Sequence, residues 1–142
     1  MAETGTASTQ IDATVDRILE VINDVEGLPA RLSVFHLAKV LERDLEGRPQ
    51  RAEFEVDARL KVVHYFLEYE YAPNKVSWKM TEGDMNELTG SYELKSKGDG
   101  TEVVYSYAID PGFPVPGFIR KQGVKMMVSG ALDDLKKTAE TR

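Results

Sequence analysis

Hydrophobic and polar positions alternate with two different periods along this chain, and the switches between them mark out its elements. Gly5 to Ile11 alternate weakly, as an edge strand does. Val15, Ile18, Leu19, Ile22 and Val25 then recur at helical spacing, with Asp12 as the expected N-cap. Gly27 and Pro29 are expected to end that helix, and the following ARLS to add a short second turn. From Val34 the period falls towards two. Strands are expected over Val34–Arg43, Arg51–Arg59, Leu60–Ala72, Lys75–Glu82, Glu87–Lys97 and Thr101–Asp110. Turn-forming sequences separate them: EGRP at 46–49, APNK at 72–75, EGDMN at 82–86 and KGDG at 97–100. No helical segment intervenes, so the strands read as an antiparallel meander.

The last long segment returns to helical spacing, from about Pro116 to about Thr138, and would span roughly 33 Å. Val124, Met127, Val128, Ala131 and Leu135 form its apolar stripe, while Lys121, Lys125, Ser129, Asp133, Lys136 and Lys137 fall mainly outside. Gly123 and Gly130 each disfavour a helix by ~1 kcal/mol relative to Ala, so each signals a need for space. A helix with one apolar stripe needs a sheet to lie on.

Alternation within the strands defines the sheet face that would meet it. Phe54 and Val56 share that face with Tyr65, Leu67, Tyr69 and Tyr71. Trp78, Met80, Leu88, Gly90, Tyr92, Leu94, Val103, Tyr105, Tyr107 and Ile109 extend it, and the opposite face is mostly polar. So many phenols are unusual for an inner surface, because a buried hydroxyl without a partner costs about 1–3 kcal/mol. They suggest a wet or ligand-filled interior, with Met80, Met126 and Met127 able to adapt its shape. A packed core whose tyrosines reach the rim is the competing reading.

Composition narrows the classes. A chain of 142 residues, 42% hydrophobic and 30% charged, reads as one soluble domain covering residues 1–142. It has no run of about 18 apolar residues, so no stable membrane insertion is expected. The absence of cysteine rules out disulfides and thiolate sites, and suits a cytoplasmic location. A net charge of −6 argues against nucleic acid. Arg120, Lys121 and Lys125 form the one basic cluster, read as a solvated helix flank.

Candidate chemistry is sparse. His36 and His64 alone cannot hold zinc, and no metal or cofactor is expected. Neither a nucleophile triad order nor a phosphate loop is present. Glu68 and Glu70 read as a solvated strand face, and Arg51 and Arg59 as exposed. A tyrosine can serve as a general acid, but its ordinary pKa near ~10 makes it a poor base. No catalytic residue is assigned, and the residues favour binding over catalysis.

Several stretches carry a family likeness: QIDATVDRILEVINDVEGLP at 10–29, GDGTEVVYSYAID at 98–110, PVPGFIRKQ, and ALDDLKK near the end. They resemble actinobacterial polyketide cyclase/dehydrase-like proteins of the SRPBCC, or START-like, superfamily, and are similar in kind to its coenzyme Q-binding branch. The resemblance implies an α+β helix-grip fold: a curved seven-stranded antiparallel sheet wrapped around a long C-terminal helix, with two short helices after the first strand. It also implies a deep cavity between sheet and helix, open near the loop PGFPVPG at 111–117. Phe113, Val115 and Phe118 would form a hydrophobic lip there. Members commonly carry an aromatic residue just after the proline of the second short helix; here Ala30 and Arg31 follow Pro29.

The reading that follows is a protein enclosing a hydrophobic small molecule, such as a lipid, isoprenoid or polyketide-like compound. Its expected contacts are Phe54, Val56, Tyr65, Leu67, Tyr69, Trp78, Met80, Tyr92, Tyr105, Tyr107, Phe113, Phe118, Val124, Met127 and Ala131. A polyketide cyclase/dehydratase-type enzyme is the alternative; the arginine such aromatase/cyclases use has no counterpart in KVVHYFLEYEY. A ribosome-associated or toxin-like interaction module is a third reading, and a transient membrane or protein contact stays open.

Overall fold

A computed structural model describes residues 2–59 and 61–141 of the chain. Seven strands form one sheet: β1 (Glu3–Ile11), β2 (Phe35–Arg43), β3 (Pro49–Asp57), β4 (Val62–Ala72), β5 (Lys75–Gly83), β6 (Glu87–Lys97) and β7 (Gly100–Asp110). The Leu60 end of the expected third strand of the meander lies outside the described residues. Neighbours run β1-β7-β6-β5-β4-β3-β2, and every pair is antiparallel. β2 to β7 are the expected meander; β1 closes onto β7, from Glu3 opposite Ile109 to Ile11 opposite Thr101. Register shifts in β2–β3 and β4–β5 insert bulges that bend the sheet. The β4–β5 turn is tight because Asn74 accepts a left-handed backbone, φ 58°.

Between β1 and β2 lie α1 (Val15–Asn23), a single 3-10 turn (Val25–Gly27) and α2 (Leu28–Arg31). Thr14, and not Asp12, caps α1, its hydroxyl accepting from the Arg17 amide at 3.1 Å. The Asp12 amide instead donates to Glu140 at the end of the last helix. α1 ends at Asn23, before the expected Gly27 and Pro29; Pro29 instead sits in the first turn of α2, where a proline lacks only an amide that has no helical partner anyway.

The last helix, α3 (Gly117–Glu140), is 24 residues long. Its main backbone contacts are with β1, β7 and α1. Val124, Val128, Leu132, Leu135 and Ala139 are its buried side chains. Met127 is therefore off the stripe, at 42% exposure, and Leu132 is on it. Ala131 is half-buried and packs against the core. At 100° per residue Leu132 falls on the same arc as Val128 and Leu135, whereas Met127 stands about a quarter-turn away.

The C-terminal half of α3 is tied down from several sides. The Arg17 guanidinium donates to the carbonyls of Thr138, Ala139 and Thr141, closing the helix end. Lys136 reaches the Gln10 carbonyl in β1 at 2.7 Å, and Arg31 of α2 pairs with Asp134 at 3.1 Å. At the other end one ion pair, Arg120 to Glu3 at 2.8 Å, fastens the helix to β1. Ile11, Ile18 and Val103, near the C-terminal end of α3, have no accessible surface.

Candidate functional site

The concave sheet face carries two runs of aromatic rings. Phe35, Phe54 and Tyr65 touch in series, with Phe54 and Tyr65 stacked at 5.3 Å between centroids. A longer run joins Tyr71, Tyr69, Trp78, Tyr92, Tyr105 and Tyr107, its closest pair being Tyr92 and Tyr105 at 4.8 Å. Apart from Phe35, strand alternation put these rings on one side, and register brings them into rows. One row crosses β4, β5, β6, β7 and β1 as Tyr69, Trp78, Gly90, Tyr107 and Gly5. Gly90 separates Trp78 from Tyr107, and Gly5 follows Tyr107. A Cβ built on Gly90 would stand 2.6 Å from the Trp78 ring, and one on Gly5 2.7 Å from the Tyr107 hydroxyl. The glycines let both rings lie down along the sheet, keeping the floor low.

The polar ends of these rings are the informative atoms. The Tyr71 hydroxyl donates to the Pro49 carbonyl, with the Arg48 guanidinium 4.2 Å above the ring centroid. No protein hydrogen bond engages the hydroxyls of Tyr65, Tyr69, Tyr92, Tyr105 and Tyr107 or the Trp78 indole, among the described residues. Yet no buried side-chain nitrogen or oxygen among them lacks a partner. These polar ends therefore reach accessible space while the rings are walled in. Tyr65 and Tyr105 retain just 7% of their surface.

Burial pushes the pKa of Tyr65, Tyr69, Tyr92 and Tyr105 upward, with neighbouring phenols adding to it. Tyr71 is pushed up to about 12, first by burial and then by the charge of Asp44. The phenols thus stay neutral donors throughout the physiological range. They can orient a polar group on a guest, but they cannot act as bases.

Most of the residues expected to touch a ligand gather here. Phe54, Val56, Tyr65, Leu67, Tyr105 and Val124 belong to the buried core; Tyr69, Trp78, Met80, Tyr92, Tyr107, Phe113 and Ala131 pack against it half-buried. Phe113 reaches the interior from the 111–116 segment, with the Lys61 ammonium 5.8 Å from its ring. Gly112 allows that approach: it has φ 81°, and its loop presses on residues 84–86 of the β5–β6 connection. Phe118 does not join them. It sits on the first turn of α3 with 76% of its surface exposed, facing out and not in. Met127 is likewise outside the core cluster.

Sequence reasoning missed Phe35 and Met85, which also pack against the core. Phe35 opens a strand whose register is broken by bulges, so alternation did not reach it. Arg31, flagged only as a departure from a family pattern, bridges Asp24 at 3.3 Å and Asp134 at 3.1 Å. A groove of about 650 Å³ runs beside that bridge, between α1, α2 and α3, and is lined by Arg17, Leu32, Gly130 and Thr138 among others. A second, of about 390 Å³, lies along α3 from Gln122 to Asp133. None of the expected ligand contacts lines either groove. Gly130 lines both, and a Cβ there or at Gly123 would meet nothing within 4 Å.

On the convex face both histidines are paired with glutamates: His64 to Glu53 at 2.6 Å and His36 to Glu55 at 3.5 Å. Phe66 is covered by the His64 edge and by Arg51, whose guanidinium lies 5.0 Å from its centroid. Among the described residues no cluster of three His, Cys, Asp or Glu could hold a metal ion. Among the described residues no helix is long and apolar enough to cross a membrane.

This architecture is shared with known proteins. The profile of a family described as polyketide cyclase/dehydrase and lipid transport matches residues 3–140. A START superfamily protein from Mycobacterium smegmatis superposes with a TM-score of 0.86 at 18% identity, covering 96% of this chain and 97% of its own. The protein TTHA0849 from Thermus thermophilus gives 0.81 at 25% identity, with the same coverage of 96% and 97%. The Zhui aromatase/cyclase from Streptomyces sp. R1128 gives 0.78 at 14% identity, covering 99% of this chain and 94% of its own. No curated protein matches the chain in sequence.

Proposed function

The chain belongs to the polyketide cyclase/dehydrase and lipid transport family, and on that premise we propose that it holds a hydrophobic small molecule between the sheet and α3. The observation that carries this reading is the set of walled-in aromatic rings whose polar ends have no protein partner and are nonetheless not sealed off. A finished core would pair those groups or replace them with leucine and valine. A guest with a long apolar body and one or two oxygens satisfies them: the body gains about 25 cal/mol per Å² buried, and the phenols fix its orientation. Lipids, isoprenoids and polyketide-like compounds all fit that description.

Trp78 is the only tryptophan, and it touches Tyr69, Tyr92 and Tyr105. Its emission therefore reports on the interior without a label. Native mass spectrometry of gently purified protein should show a co-purifying apolar molecule, and its removal should red-shift Trp78 emission. Replacing Tyr69 and Tyr105 together by Phe should weaken readdition of that molecule by about tenfold while leaving the melting temperature within a few degrees. Protein that carries nothing, and whose Trp78 emission ignores fatty acids, isoprenoids and aromatic polyketides alike, would end the proposal.

A further inference from the structure

α3 has two apolar sides. One is the buried stripe; the other, a quarter- to a half-turn round from it, exposes Phe118 at 76%, Met126 at 50% and Ile119 at 44%. These three share one outward sector of the first three turns, since 118, 119 and 126 lie within about 100° of one another on a helical wheel. No core residue requires them. Exposed aromatic and aliphatic side chains grouped in this way mark a surface meant to be covered.

The charge around them is equally local. From Pro111 to Leu132 the chain holds Arg120, Lys121 and Lys125 and no acidic residue, although its net charge is −6. Arg120 is paired with Glu3, whereas no described acid pairs with Lys121 or Lys125. Lys61 adds a further cation beside Phe113 at the same end of the molecule. Asp133 marks where acidic side chains resume on the helix.

We infer that this face, Phe118, Ile119 and Met126 with Lys121 and Lys125 beside them, docks onto an anionic lipid bilayer. The apolar side chains would enter the headgroup boundary and the lysines would meet lipid phosphates, as amphipathic interfacial helices do. The basic run selects this occupant. The chain is acidic overall, but residues 111–132 carry three cations and no acid, so a negative surface attracts this stretch. The inference does not depend on what the interior holds.

The test is flotation of the full chain with vesicles of phosphatidylcholine alone and of phosphatidylcholine mixed with phosphatidylglycerol. Binding should require phosphatidylglycerol and fall as salt rises. Each lysine contributes about fivefold near an anionic surface, so K121E/K125E should lower binding at least about 25-fold. Phe118→Ser and Met126→Ser should each reduce it severalfold with unchanged melting curves, because both side chains are exposed. Absence of flotation with either vesicle overturns the inference, as does equal binding to both. It is also overturned if Phe118→Ser alters the sedimentation coefficient of the free protein, since the face would then be covered by a second copy of the chain.

Discussion

Tyr65 shows how a single side chain can be read from sequence and still hold something back. Alternation along KVVHYFLEYEY placed it on the inner face, and it is there, stacked on Phe54. What alternation could not convey is that its hydroxyl has no protein partner, because that depends on atoms from other strands. The same holds for Tyr69, Tyr92 and Tyr105. Their raised pKa values carry a sign that can be tested. A phenol that ionises less readily in the folded state stabilises it fully below pH ~10 and loses that contribution as pH rises through the folded value. The melting temperature should thus fall steeply above pH ~10, and the phenolate absorbance of the folded protein should lag behind that of the unfolded chain. Coincident titration curves for the two states would show that the rings are solvated. Phe118 and Met127 are the opposite lesson: both are apolar residues in an amphipathic stretch, and their direction was decided by a helix rotation that two competing apolar sides left ambiguous.

At the scale of elements, the strands were legible because period two and turn residues agree from Val34 to Asp110. The observed strand ends fall within two residues of the expected ones wherever both are described. Helix ends were less legible. Asp12 and Thr14 are both competent caps, and the choice between them was settled by Glu140, far away in sequence, which takes the Asp12 amide. Backbone and Lys136 hydrogen bonds in turn hold the Glu140 carboxyl below its ordinary pKa. Arg17 was invisible as a functional cap for the same reason: its three carbonyl partners lie on α3 or just past its end. Arg17→Ala should cost about 1.5–3 kcal/mol, since hydrogen bonds from a charged donor to a helix end are lost together. Urea unfolding would measure it, and a loss under ~0.5 kcal/mol would mean that water replaces the guanidinium freely.

For the whole molecule, the resemblance read from four short stretches anticipated the helix-grip architecture and its seven strands, whereas the pairing of β1 with β7 emerged only from the structure. Local pattern cannot reveal which strands close a sheet, because closure joins residues about a hundred positions apart, as Glu3 and Ile109 are. Nor can it tell how far the space between sheet and helix is filled. Here burial is uneven: Ile11, Ile18 and Val103 keep no accessible surface, whereas Trp78, Tyr107 and Phe113 are half-buried against the core.

The unequal fastening of α3 has a mechanical meaning. Arg17, Lys136 and Arg31 grip its second half, whereas among the described residues the ion pair of Arg120 with Glu3 is what fastens the first turns by charge. A helix fastened this way should yield first at its N-terminal turns. Amide deuterium uptake should therefore be faster at 118–124 than at 132–139, reversing the usual fraying of a chain's last helix, and uniform uptake would mean a rod that moves as one piece.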